Sequence, residues 1–115
     1  MEAKAISKYI KQSPRKIRKT LNSVRDKKVG VALNILHFSP EKAAVVIEKT
    51  IHSAVANLMA NEDKSNINPE ELLIKEAFVD GGPITKRFRA ASMGRAALIR
   101  KPSAHLTVIV TDEKS

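Results

Sequence analysis

The 115-residue chain has no cysteine and no tryptophan, and only 3% of its residues are aromatic. Without cysteine it can form neither disulfides nor thiolate metal sites, which fits a reducing cytoplasm. Its aromatic residues are Tyr9, Phe38, Phe78 and Phe88. With so few aromatic platforms, we expect base stacking not to dominate any contact with nucleic acid.

Long apolar runs are also missing. No stretch of about 18 apolar residues is present, so we expect no transmembrane helix. The first residues, Met-Glu-Ala-Lys, are not the start of an apolar signal segment, so we expect no secretory signal. The expected location is the cytoplasm.

Signatures of catalysis are absent from the sequence. It contains neither a phosphate-binding glycine loop nor a nucleophile–base pattern. His37 and His52 are fifteen residues apart, without a carboxylate or cysteine pattern of a metal site, and we interpret them as surface or packing residues. We therefore expect no enzyme activity, no metal, no cofactor and no small-molecule substrate.

Positive charge is abundant and unevenly distributed. The net charge is +9, from 21 basic and 12 acidic residues. Residues 1–30 carry a net +8, residues 31–81 a net −4, and residues 82–101 a net +6 with no acidic residue. Two separate cationic segments are typical of a protein that binds nucleic acid, because a merely soluble surface intersperses the two signs.

Hydrophobic periodicity predicts an α+β domain. Residues 3–11 alternate as a short strand, with Ala3, Ala5, Ser7 and Tyr9 on one face. Ser13 and Pro14 predict a helix start, and the apolar stripe of that helix is Ile17, Leu21 and Val24. Residues 29–37 predict a second helix. A third runs from Ser39 and Pro40 to about Asn61, with Glu41 in its first turn. Its predicted apolar stripe is Ala43, Ala44, Ile47, Ile51, Ala54, Val55 and Leu58.

The C-terminal half predicts two strands and a long insertion. Residues 72–79 and 104–111 have strand character, and residues 80–103 between them are polar, basic and rich in small residues. Since the flanking strands are expected to be neighbours, the insertion is predicted to be an extended hairpin with arms of about 9 residues, each ~30 Å long. A disordered basic loop is the alternative, and the two agree if the segment orders on its partner.

Several blocks in this order resemble one known family, that of the bacterial-type large-subunit ribosomal protein twenty-two. The blocks are SPRKIRK (Ser13–Lys19), ALNILHFSPEKAA (Ala32–Ala44), IHSAVAN (Ile51–Asn57), FVDGGPITKRFR (Phe78–Arg89), GRAALIRK (Gly94–Lys101) and HLTVIV (His105–Val110). One stretch departs from the family pattern. Members commonly carry Pro-Arg-Ala where this chain has Ala90, Ala91 and Ser92, so one tip arginine is missing.

The resemblance implies three helices packed on a small three-stranded antiparallel sheet, with a long protruding β-hairpin. The chain is then a single domain, with its body at residues 1–81 and 102–115 and its hairpin at 82–101. The resemblance further implies a structural constituent of the large subunit that acts in early assembly, binds large-subunit rRNA and neighbours other ribosomal proteins. The body would lie near the opening of the peptide exit tunnel. The hairpin would line the tunnel wall, past which the nascent chain moves.

Basic residues of the two cationic segments are the predicted rRNA contacts. In and near the first helix they are Lys8, Lys11, Arg15, Lys16, Arg18, Lys19 and Arg25. In and beside the hairpin they are Lys86, Arg87, Arg89, Arg95, Arg100, Lys101 and His105, although an ordinary strand role for His105 is equally consistent. The predicted tip, in the tunnel, is Ala90, Ala91, Ser92, Met93 and Gly94.

Two other functions fit parts of the pattern. DNA-bending architectural proteins also use basic β-arms, but usually with an apolar or proline wedge at the tip, where this chain offers only Met93. A cationic amphipathic helix can bind membranes, but the first helix has only three stripe residues and no tryptophan. A bacterial and an organelle-encoded ribosomal origin both fit the sequence.

Overall fold

A computed structural model describes residues 2–61, 68–90 and 96–112 of the chain. In the described residues, one strand and then three helices form the first part of the chain, and four strands follow in the second. The elements are β1 (Glu2–Ile10), α1 (Pro14–Leu21), α2 (Val29–His37), α3 (Lys42–Asn61), a 3₁₀ turn (Pro69–Glu71), β2 (Leu73–Gly81), β3 (Thr85–Ala90), β4 (Ala96–Lys101) and β5 (Ala104–Thr111).

The last strand, β5, is the centre of a three-stranded antiparallel sheet with the order β1-β5-β2. Its residues are mainly buried and rich in valine, leucine and isoleucine, as expected for a strand with neighbours on both edges. The α+β class and the small antiparallel sheet expected from the sequence are confirmed.

The three helices and the sheet enclose one hydrophobic core. The largest contribution from a helix comes from α3, whose predicted apolar stripe is buried except for the partly buried Val55. Alanines at three positions of that stripe let α3 pack close to β1 and β5. The fully buried large side chains include Ile17, Leu21, Leu36, Ile47, Ile51, Leu58, Leu106, Val108 and Val110.

Capping residues fix where α1 begins. The Ser13 side chain accepts a hydrogen bond from the backbone N–H of Lys16 at 3.4 Å, and Pro14 occupies the first turn. This satisfies one of the free donors at the helix start and confirms the predicted boundary. The end of α1 was predicted too late. The helix stops at Leu21, and Val24 is buried in the turn that follows.

Two further details differ from the sequence prediction. The register of β1 against β5 shifts between Ser7 and Ile10, so the simple alternation fails there and Tyr9 is exposed instead of sharing the face of Ala3. Glu41 precedes α3 rather than lying in its first turn. It accepts a hydrogen bond from the buried Thr20 hydroxyl, which joins the end of α1 to the start of α3.

The predicted hairpin is present as a separate two-stranded antiparallel ribbon, β3–β4. Each described arm has six residues, fewer than the nine expected. The molecule measures 67 × 26 × 20 Å, and its radius of gyration is 17.4 Å. A compact chain of this length has a radius of gyration of about 13 Å. The ribbon therefore makes the molecule elongated.

Candidate nucleic-acid interface

The first helix presents a dense cationic surface. Ile17 and Leu21 are fully buried, which turns Arg15, Lys16 and Lys19 to the solvent. The first turn of α1 contains no acidic residue, so its positive dipole end is not compensated within the helix. An anionic backbone can approach this surface without meeting a carboxylate of the helix.

Arg18 connects that helix to the sheet. Its Nη2 donates a hydrogen bond to the backbone oxygen of Val79 in β2 at 2.6 Å, although the residue stays partly exposed. Pro14 lies beside Gly81, at the point where β2 leaves the sheet. The cationic helix is therefore fixed next to the base of the ribbon.

Cations also face each other across the ribbon. In the antiparallel register Lys86 is opposite Arg100, and both side chains are exposed. Like charges directly opposite each other destabilise a strand pair, so an anion between or beside them would stabilise this one. The same register places the backbone of Arg87 opposite Ile99 and that of Arg89 opposite Ala97.

The ribbon is joined to the body by a short hydrogen-bonded neck. The Gly82 N–H donates to the Ser103 carbonyl at 2.9 Å, and the Ser103 hydroxyl donates to the Pro83 carbonyl at 2.6 Å. A side chain at position 82 would come within 2.5 Å of the Ser103 Oγ, so only glycine fits here without a shift of its neighbours. The neck continues the β2–β5 pairing toward β3 and β4.

A cavity of about 510 Å³ lies where the neck meets the end of β1. We call it the junction cavity. It brings together Lys11 from the N-terminal segment and Arg100 and Lys101 from the ribbon, residues that are about ninety positions apart in sequence. Its described lining residues are Tyr9, Lys11, Pro83, Thr85, Arg100, Lys101, Pro102 and Ser103.

His105 supports the wall of this cavity. Its Nδ1 accepts a hydrogen bond from the Tyr9 backbone N–H at 3.1 Å, and the two rings meet edge to face at 4.9 Å. Because Nδ1 is the acceptor, a neutral imidazole carries its proton on Nε2. His105 therefore has a clear structural role in positioning Tyr9.

The predicted contacts are not all in one place. Lys8 is exposed on β1. Arg25 is also exposed, but it donates to the Asn22 side chain at 2.9 Å and lines a different concavity with Asp26 and Glu76. Of the other predicted residues, Ala90 ends β3, and Ala91, Ser92, Met93, Gly94 and Arg95 lie outside the described residues.

Tyr9 is the functional candidate that the sequence analysis missed. Its position within the first basic segment, two residues before Lys11, was the available signal. The expected strand alternation placed it on the face of Ala3 and Ala5, whereas the bulge exposes it.

Two other features are absent from the described parts of the chain. There, no three metal-ligating side chains lie close enough together to hold an ion. Across the same residues, no helix combines the length and the apolarity that crossing a bilayer requires.

An α+β body with a cationic helix beside a protruding cationic ribbon defines a class of basic proteins whose surface suits a polyanionic partner. The family model described as ribosomal protein L22p/L17e matches residues 5–111. The protein named large ribosomal subunit protein uL22 of Halothermothrix orenii is 46% identical over 114 residues, covering 99% of this chain and 98% of that relative. Its namesake in Syntrophotalea carbinolica is 47% identical over 113 residues, covering 98% of this chain and all of the relative.

The chain therefore belongs to the ribosomal protein L22p/L17e family. This family comprises structural proteins of the ribosome and not enzymes, so the resemblance read from the sequence blocks and the expectation of a non-enzyme are confirmed. The relatives named above are bacterial.

Proposed function

We propose that this protein is a structural constituent of the large ribosomal subunit, bound to the ribosome in the cytoplasm, and that it binds large-subunit rRNA. The observation that carries the proposal is the junction cavity, which Lys11, Arg100 and Lys101 all line. Two cationic segments far apart in sequence thereby form one surface, which the family relationship supports as an rRNA contact.

Backbone recognition explains the residue types on this surface. Lysines and arginines neutralise phosphates and release counterions. The deep, narrow major groove of A-form RNA cannot be read by side chains, so shape and phosphate contacts dominate on helical regions. Arginine adds bidentate contacts to phosphate, which suits Arg15 and Arg100 at exposed positions.

The two parts of the molecule take different places in this proposal. The body, residues 1–81 and 102–115, lies near the opening of the exit tunnel and contacts rRNA and neighbouring ribosomal proteins. The hairpin, residues 82–101, passes through rRNA and forms part of the tunnel wall beside the nascent chain. The elongated shape and the absence of acidic residues from this segment support the division.

Fractionation of cell lysate on sucrose gradients tests ribosomal binding. The protein should migrate with large subunits at moderate salt and should leave them after RNase treatment or at high salt. Migration with chromosomal DNA, or as a free dimer, would instead favour the DNA-architectural function. Depletion of the protein should cause precursor particles of the large subunit to accumulate if it acts early in assembly.

Site-specific photo-crosslinking tests the tunnel location. A crosslinking residue in place of Met93 should capture the nascent chain on stalled ribosomes. The same residue in place of Val45, which is exposed on α3, is the control and should not capture it. Equal capture at both positions, or capture at neither, would contradict a hairpin in the tunnel wall.

A further inference from the structure

Tyr9 has an unusual backbone conformation at the edge of the junction cavity. Its φ is 57°, in the left-handed region that bulky side chains rarely adopt. The bulge between Ser7 and Ile10 creates this conformation, and it leaves the tyrosine 64% exposed. A strained backbone that exposes an aromatic ring points to a functional use of that ring.

The ring of Tyr9 is also held in place from behind. The edge-to-face contact with His105, at 4.9 Å between ring centroids, fixes one side of the tyrosine. The hydrogen bond from the Tyr9 N–H to the His105 Nδ1 holds the backbone as well. An aromatic ring that is both exposed and fixed loses little conformational freedom when a flat ligand stacks on it.

The surroundings of Tyr9 are suited to an anionic ligand. Three of the eight described lining residues of the cavity are cationic, namely Lys11, Arg100 and Lys101, and none is acidic. Thr85 and Ser103 add hydroxyl groups, and Pro83 and Pro102 add rigid apolar surface. The volume, about 510 Å³, is within the range of about 300–1,000 Å³ typical of small-molecule sites.

We propose that the junction cavity binds a single unpaired nucleotide of RNA, with its base stacked on the Tyr9 ring and its flanking phosphates held by Lys11, Arg100 and Lys101. This inference rests on the proposed binding of rRNA, and it adds that the protein recognises an extruded base. Stacking on an aromatic ring tolerates any base, because every base has a π-face. The site therefore selects an extruded nucleotide rather than a particular sequence.

A pair of short RNA duplexes provides the test. One duplex carries a single unpaired 2-aminopurine as a bulge, and the other has the same strands without the bulge. The full-length protein should bind the bulged duplex about tenfold more tightly, as expected for one stacked base. Binding should also quench the 2-aminopurine fluorescence, which reports stacking directly.

Three variants distinguish stacking on the Tyr9 ring from binding that depends on charge alone and from damage to the fold. Tyr9→Phe keeps the ring and should retain both the preference and the quenching. Tyr9→Leu keeps a bulky side chain at the same backbone conformation but should lose both, while still binding the unbulged duplex. Phe38→Leu removes an aromatic residue that is 81% exposed outside the cavity, and it should behave as the wild type.

The possible failures can be told apart. If the wild type binds RNA with no preference for the bulge, or if Tyr9→Leu keeps the preference, the nucleotide site is wrong and rRNA binding stands. If the protein binds neither duplex, or prefers duplex DNA of the same sequence, the proposed function itself fails. Circular dichroism of each variant establishes that the fold is intact.

Discussion

Gly82 shows how one missing side chain shapes the neck of the ribbon. An added Cβ would lie 2.5 Å from the Ser103 Oγ and 3.3 Å from two ring atoms of His105. We expect Gly82→Ala to displace the Ser103 hydroxyl from the Pro83 carbonyl and to lower the free energy of unfolding by about 1–2 kcal/mol. Urea denaturation measures the change.

A second substitution tests the cause. In Ser103→Ala the hydroxyl is gone, so Gly82→Ala should cost less in that background than in the wild type, with a coupling of at least about 0.5 kcal/mol. Additive effects of the two substitutions would show that the Ser103 contact is not the reason for glycine here.

Leu106 is the residue on which we expect the core to depend most strongly within β5. It is fully buried in the central strand, and shortening it leaves a cavity that rigid neighbours on both sides cannot close. We expect Leu106→Ala to lower the free energy of unfolding by about 2–5 kcal/mol. Ile84→Ala, at a side chain that is 55% exposed, should change it by less than about 0.5 kcal/mol in the same denaturation experiment.

Individual residues were predictable wherever local chemistry determined them. Ser13 and Pro14 marked the helix start because capping depends only on neighbours in sequence. The exposure of Tyr9 was not predictable, because it follows from a register shift against β5, a strand about a hundred residues away, although its place in a basic segment was visible in the sequence. The buried hydroxyl of Thr20, which donates to Glu41, depends on tertiary contact in the same way.

The ribbon should be dispensable for the folding of the body. Gly82 and Ser103 are already hydrogen-bonded neighbours across the neck, so a two-residue Asn-Gly turn can replace residues 83–102. Shortening a loop reduces the entropy lost on closing it, and we expect the free energy of unfolding to change by less than about 1 kcal/mol. Thermal denaturation followed by circular dichroism measures this.

The same variant should bind RNA much more weakly, because the deleted segment contains six cationic residues and no acidic residue. A matched variant that keeps the ribbon but replaces the exposed Val45 and Val31 by threonine should bind as the wild type does. Loss of the body's fold in the shortened chain would contradict the division into body and hairpin.

Elements with strong periodicity were predicted best. The bounds of α2 and β5 matched those expected, and the stripe of α3 was correct because a long amphipathic helix repeats its signal over many turns. The end of α1 was missed because Val24 continues the helical spacing, while the chain turns after Leu21 to bury that valine separately.

At the scale of the whole molecule, charge determines how strongly the affinity for RNA depends on salt concentration. Each phosphate contact contributes about 0.7–0.9 to the slope of log affinity against log salt concentration. We expect Lys16→Gln, on the cationic face of α1, to reduce the slope for rRNA by about 1. Lys49→Gln removes an equally exposed lysine from α3 in the net-negative middle segment, and it should leave the slope unchanged. Equal reductions would mean that binding follows net charge rather than the cationic surface.

At the scale of the whole molecule, the sequence indicated two basic segments and a polyanionic partner. It did not indicate that the segments meet. That depends on the hydrogen bond from Arg18 to the Val79 carbonyl and on the position of Lys11 in the lining of the same cavity as Arg100. Both follow from the packing of α1 and β1 against the sheet.

The position of β5 has a consequence for the order in which the protein forms during synthesis. Both β1 and β2 pair only with β5 in the three-stranded sheet, and β5 is the last of the three to be made. Until residues 104–111 have emerged, the helices can form locally, but neither outer strand has its partner. Pairing between such distant parts of a chain is slow, and unpaired strands aggregate. The body and the junction cavity therefore assemble in one late step, which confines the finished cationic surface to chains that have been made through β5.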